Sequence, residues 1–231
     1  MNGGATPTPT DSLKPTDGWL PVRLFAYTVV LFVGMAMLGE LGQRRGLYFF
    51  LEKNGLENFQ LALALAVTVG LAVTAWRKPP VRQGFIYMAL LAALAVTREI
   101  DFILDVLLPG LSWKLTVAIL FTVANANALW RWRRFWPQIS HLSGTGGGAM
   151  IWAGFVVVVA LAQWLGHQDL WRPIMEEAYS RQFKRVMEEI VETFGYLLIF
   201  FGTIEAMIRA RRIDPAPTAS ENGSKPLQND V

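Results

Sequence analysis

Apolar residues fall into six long stretches separated by short polar ones. The stretches run approximately over residues 22–42, 56–76, 83–105, 112–130, 149–167 and 188–208. Each is close to the roughly 20 helical residues that a hydrocarbon core about 30 Å thick requires. The pattern predicts an all-α fold, a polytopic integral membrane protein built as a bundle of six transmembrane helices. Short connections leave no room for a separate soluble domain. Residues 1–18 and 213–231 are rich in Pro, Thr, Gly and polar side chains, so they are expected to be disordered tails around a six-helix domain at 19–212. The first of them lacks the apolar core of a signal peptide.

Basic residues near the ends of spans favour the cytoplasmic side. Placing both termini in the cytoplasm puts Arg77, Lys78 and Arg82 in one internal loop, Arg131, Arg133 and Arg134 in the next, and Arg209, Arg211 and Arg212 after the last span. The connection between spans 5 and 6 opposes this frame, with Arg172, Arg181, Lys184 and Arg185 on the outside. Trp76 and Trp130 mark one interface in this frame, and Trp113 and Trp164 the other. The setting is a cell membrane, the inner one in a bacterium.

Acidic residues then sort to the outer side, and several interrupt the apolar pattern. In "AVTREIDF" the third stretch delivers Arg98, Glu99 and Asp101. Gly84 to Thr97 is too short to span, so the third helix is expected to continue through these residues toward Asp105. Helical periodicity places Glu99 in line with Ala89, Ala92 and Val96, and Glu188 and Glu192 in line with Gly195, Ile199 and Gly202. Glu57 and Gln60 are in line with Ala64, Thr68 and Ala72. Stripes of small residues mark faces where membrane helices approach one another, so the acids are expected to face other helices. Glu40, Glu57, Glu99, Glu189 and Glu192 come to one layer, a turn or two below the outer interface. "REID" becomes one wall of a polar pocket between spans 1, 2, 3 and 6.

Composition reinforces the membrane reading: 53% of residues are hydrophobic and 17% charged, with a net charge of +3. The absence of cysteine removes disulfides, thiolate metal sites, Fe–S clusters and thiol nucleophiles. The two histidines, His141 and His167, lie on opposite sides, which argues against a histidine-rich zinc site, a bis-histidine haem and a Glu-x-x-His di-iron centre. "HLSGTGGGAM" (141–150) lacks the Gly-Lys-Ser/Thr ending of a nucleotide-binding loop and reads as a flexible linker. "LWRWRRFW" (129–136) alternates aromatic and basic residues, and after a membrane span it reads as an interfacial anchor for anionic lipid and not as a nucleic-acid site. From Pro173 to Val191 the rhythm predicts an amphipathic helix over the outer pocket that runs into span 6, with Pro173 in a first turn.

Ionisable residues inside a membrane cost several kcal/mol unless paired or wetted, and they mark function by default. Glu57, Glu99, Glu189 and Glu192 are candidate ligands for a hard divalent cation, calcium, magnesium or manganese. Glu99, Asp101 and Arg98 are candidate catalytic residues. Arg98, Asn58, Gln60 and His167 are candidate substrate contacts. An enzyme acting on a lipid-linked or amphipathic substrate, a cation- or proton-coupled transporter or channel, and a non-catalytic assembly subunit all remain open. So does a purely structural role, in which Arg98 neutralises Asp101 or Asp105.

Overall fold

The structure, a computed structural model, describes residues 18–46, 55–100 and 113–212. Among these, every element is helical. In chain order they are α1 (Leu20–Arg45), α2 (Gly55–Arg77), a 3-10 turn (Pro79–Val81), α3 (Arg82–Glu99), α4 (Trp113–Trp130) and α5 (Trp132–Ser143). They continue as α6 (Gly146–Leu165), which turns π-helical over Val157–Ala162, then α7 (Gln168–Met175), a 3-10 turn (Glu176–Ala178) and α8 (Arg181–Arg211). The expected tails, apart from Gly18, lie outside the described residues, as do Asp101 and Asp105.

Five helices are long and apolar enough to cross a membrane: Leu20–Arg45, Gly55–Arg77, Pro79–Glu99, Gly146–Leu165 and Arg181–Arg211. They coincide with five of the six predicted stretches. The sixth, α4, has 18 residues and runs for about 27 Å, but Lys114, Asn125 and Asn127 dilute its apolar run.

The chain divides into two compact units, residues 1–44 and 45–231. The first holds α1, none of whose residues is buried, as suits a helix with an apolar solvent around it. Glu40 pairs there with Arg44 one turn on, at 2.8 Å. Gly46, at φ +63°, follows the helix in the left-handed conformation that glycine adopts without strain.

In the second unit α8 is central: α6 and α2 pack on it, α2 packs on α3, and α3 on α4. The α6–α8 contact is built on glycine. A Cβ placed on Gly154 would stand 2.7 Å from the Gly195 carbonyl oxygen, and one on Gly202 would stand 2.7 Å from that of Gly147. Both helices carry their glycines seven residues apart, which brings each pair to one face at every second turn, and the helices run antiparallel. Close backbone approach is how membrane helices associate where burial of apolar surface gives no driving force. An apolar core of Val67, Leu71, Ala75, Phe85, Leu142, Ile151, Ala206 and Ala210 fills the junction of α2, α3, α5, α6 and α8.

Two local expectations are corrected. "HLSGTGGGAM" is not a flexible linker. It contains the end of α5 and the start of α6, with Thr145 capping α6 by accepting a hydrogen bond from the Gly148 amide at 3.0 Å. Its glycines serve close packing: Gly147 and Gly148 are buried, and a Cβ on Gly147 would meet Gly202 and Ala206 of α8. The segment from Pro173 to Val191 is not one helix. Pro173 lies inside α7, the chain leaves that helix through Glu176 at φ +46°, and α8 starts afresh after Ser180, whose side chain accepts from the Phe183 amide at 3.1 Å. The helix α3 ends at Glu99 with Ile100 as its cap, and the expected continuation through Asp101 toward Asp105 falls outside the described residues.

Candidate functional site

The topology gathers the N-terminal turns of α2 and α8, the C-terminal turn of α3 and the end of α6 at one end of the second unit. There α8 presents Arg185, Glu189, Glu192, Thr193 and Tyr196 along one stripe. The pattern follows from helical spacing, four and then three or four residues at a time.

Glu192 is the centre, with 1% of its surface exposed. Arg98 Nη2 of α3 donates to both its carboxylate oxygens, at 2.7 and 2.8 Å. Gln163 Nε2 of α6 donates to one of them at 2.9 Å. The π-helical segment ends immediately before Gln163, and its wider turn carries that side chain round onto α8. Next to Glu192, the Tyr196 hydroxyl donates to Glu99 at 3.0 Å.

One turn toward the start of α8, the fully buried Gln60 of α2 reaches across. Its Nε2 donates to Glu189 Oε2 at 3.1 Å, to the Glu189 carbonyl oxygen at 3.2 Å and to Thr193 Oγ1 at 2.8 Å. Its Oε1 is buried with no hydrogen-bond partner among the described residues. Further out, Arg185 Nη2 lies 3.5 Å from Glu57, and Gln163 Nε2 lies 3.5 Å from Glu188. Gly166 lets the Glu188 carboxylate close in, because a Cβ there would stand 2.5 Å from it.

The layer therefore contains Glu57, Glu99, Glu188, Glu189 and Glu192 against two guanidiniums. Arg185, Gln60, Gln163 and Tyr196 supply the remaining donors, so each carboxylate is met by a protein group. Among the described residues, no three His, Asp or Glu side chains gather into a group that could hold a metal ion.

The expected site residues separate into three sets. Arg98, Glu99, Gln60, Glu57, Glu189 and Glu192 come together through α8. Asn58 does not join them: it is exposed, about 200° round α2 from Gln60 at 100° per residue. His167 is exposed at the start of α7, with Nδ1 3.4 Å from Asp169. Asp101 falls outside the described residues.

Sequence reasoning missed Arg185, Gln163, Thr193 and Tyr196. A signal existed for two of them. Gln163 is a polar residue inside a predicted span, and Tyr196 continues the Glu192 stripe by one turn. No protein family, characterised protein or solved structure matches this chain in comparison.

Proposed function

We propose that the chain is a six-span integral membrane protein of the cell membrane, the inner membrane in a bacterium, with both termini cytoplasmic. Its charged layer faces outward and receives the anionic head of an amphipathic or lipid-linked substrate. The frame is supported by the opposite end of the second unit, where Arg77, Lys78, Arg82, Arg209, Arg211 and Arg212 collect at the ends of α2, α3 and α8.

The observation that carries the reading is the state of Arg98. The buried Glu192 grips it through Nη2 alone, while 40% of its side chain stays exposed. Nε and Nη1 make no hydrogen bond among the described residues. A guanidinium fixed in this way is ready to receive a phosphate or carboxylate, which its planar fork suits. Glu99 and Tyr196, joined by their hydrogen bond one residue along α3 and one turn along α8, are the groups placed to move a proton beside it. A calcium, magnesium or manganese ion bound by Glu57, Glu99, Glu189 or Glu192 would take a position now held by a protein donor and would polarise the substrate's oxygen.

Thermal unfolding of the purified protein with a short-chain alkyl phosphate tests the reading. The parent and Arg98→Lys are expected to be stabilised in a concentration-dependent way, the lysine variant less, and Arg98→Gln not at all. Equal stabilisation of all three would overturn it and leave a non-catalytic assembly role in its place. A second reading, passage of a cation or proton, is favoured by Gln60 Oε1, buried beside Glu189 with no hydrogen-bond partner among the described residues. Proton or cation flux into proteoliposomes that stops in Glu189→Gln would select it.

A further inference from the structure

At the end of the second unit remote from the acids, α5 presents three sectors. Phe135 and Leu142 are buried, with Phe135 edge-on to Tyr87 of α3 at 4.9 Å. Trp132 and Trp136, one turn apart, stack with ring centroids 5.0 Å apart while 47% and 54% exposed. Arg133, Arg134 and Pro137 occupy a third, exposed sector, with Arg131 exposed just before the helix.

The level of this helix is set independently of α4. Gln138 accepts from the Gly84 amide at 2.9 Å and donates to the Pro80 carbonyl oxygen at 2.8 Å. Pro80 lies in the turn that joins α2 and α3 and Gly84 in the first turn of α3, and both helices are long and apolar enough to cross a membrane. The turn between two crossing helices stands at a membrane surface, so α5 is tied there by its side.

We propose that α5 lies in the plane of the bilayer surface as a docking surface for anionic phospholipid. Trp132 and Trp136 sit in the boundary between head groups and acyl chains, and Arg131, Arg133 and Arg134 gather phosphate head groups around it. Charge complementarity selects this occupant, because Arg77, Lys78, Arg82, Arg209 and Arg211 stand at the same end. Lys78 Nζ, for example, donates to the Arg211 carbonyl oxygen at 3.0 Å. Exposed tryptophan beside arginine is the amphipathic make-up of helices that lie in a membrane interface.

The test uses the full chain in nanodiscs. Because the protein has no cysteine, a spin label at Trp136→Cys or Pro137→Cys is unique. The label at 136 is expected in the oxygen-rich lipid zone, and the label at 137 is expected accessible to a water-soluble relaxant. Spin-labelled phosphatidylglycerol is expected to associate more strongly than phosphatidylcholine. Replacing Arg131, Arg133 and Arg134 together by Gln is expected to lower that preference by at least about fivefold, the effect of one basic residue near an anionic surface. Replacing the same three by Lys should keep it. Water accessibility at 136 equal to that at 137 would overturn the proposal and point to a soluble acidic partner. A lipid preference unchanged by the Gln replacements, or lost equally with Lys, would overturn it too.

Discussion

Replacing Glu192 by Gln removes one charge at nearly constant shape from the carboxylate that accepts three hydrogen bonds in the layer. Glu192 accepts from Arg98 at 2.7 and 2.8 Å and from Gln163 at 2.9 Å. Loss of a charge-assisted hydrogen bond costs about 1.5–3 kcal/mol, and unpairing a buried ion about 3–5 kcal/mol. Arg98 is 40% exposed, so solvent screens part of the penalty and the lower range applies. We expect a loss of about 2 kcal/mol, roughly a thirtyfold change in the unfolding equilibrium. Glu189→Gln should cost less, under about 1 kcal/mol, since its donor Gln60 is neutral. The assay is reversible unfolding in mixed micelles, run as a double-mutant cycle with Arg98→Met and Glu192→Leu. The two changes should couple by about 1–3 kcal/mol, so the double variant loses clearly less than the sum of the two single variants. That variant should no longer respond to alkyl phosphate. Additive losses, or a cost below about 0.5 kcal/mol for Glu192→Gln, would refute the pairing argument.

Gly154→Leu should destabilise the protein by more than about 3 kcal/mol, beyond ordinary overpacking, because its Cβ meets Gly195 and Ile199 within 3 Å; Gly34→Leu in α1, with nothing within 4 Å, should leave the melting curve unchanged. Ser180→Ala should cost about 1 kcal/mol through loss of the α8 cap, measured in the same unfolding assay, and Ser180→Asp should restore it. If a divalent cation occupies the acidic layer at a hundred times its dissociation constant, chelation should remove about 2.7 kcal/mol of stability and Glu192→Gln should abolish that dependence; melting curves indifferent to calcium, magnesium, manganese and chelator would remove the cation. Reporters fused near Pro79 and near Ser180 should read cytoplasmic and external respectively, and the reverse would invert the frame.

The apolar stretches were legible because a membrane helix must satisfy every backbone group internally, so length and hydropathy suffice to mark it. Five stretches reappear as long apolar helices, two of them with one end displaced by six or seven residues. Polar positions were legible in kind as well: Glu57, Gln60, Glu99 and Glu192 share one layer because each continues a small-residue stripe, and Arg98 and Glu189 stand beside them. Their partners were not, since pairing across helices depends on rotation and depth, which periodicity leaves open. Arg185 lies in the segment expected to be an amphipathic helix, and helical rhythm alone places it among the charges between the apolar positions without saying that it turns toward Glu57. The glycines of 144–148 were read as flexibility because sequence does not distinguish a glycine that loosens a chain from one that admits a neighbouring backbone. Only the matching seven-residue spacing in α8 could have done so.

The central place of α8 has a consequence for the order in which the molecule is made. Arg98, Gln60, Gly147 and Gln163 all find their partners on the last described helix, so none can be satisfied while α2, α3 and α6 are the newest chain in the bilayer. Arg98 precedes Glu192 by 94 residues, and at synthesis rates of about 5–20 residues per second it waits on the order of 5–20 s. During that interval a guanidinium inside an apolar solvent needs a temporary host, such as lipid phosphate, water or an insertion chaperone. A ribosome stalled before Arg181 would hold a nascent chain whose helices are present but whose polar side chains still face outward, the form that membrane quality control is equipped to recognise.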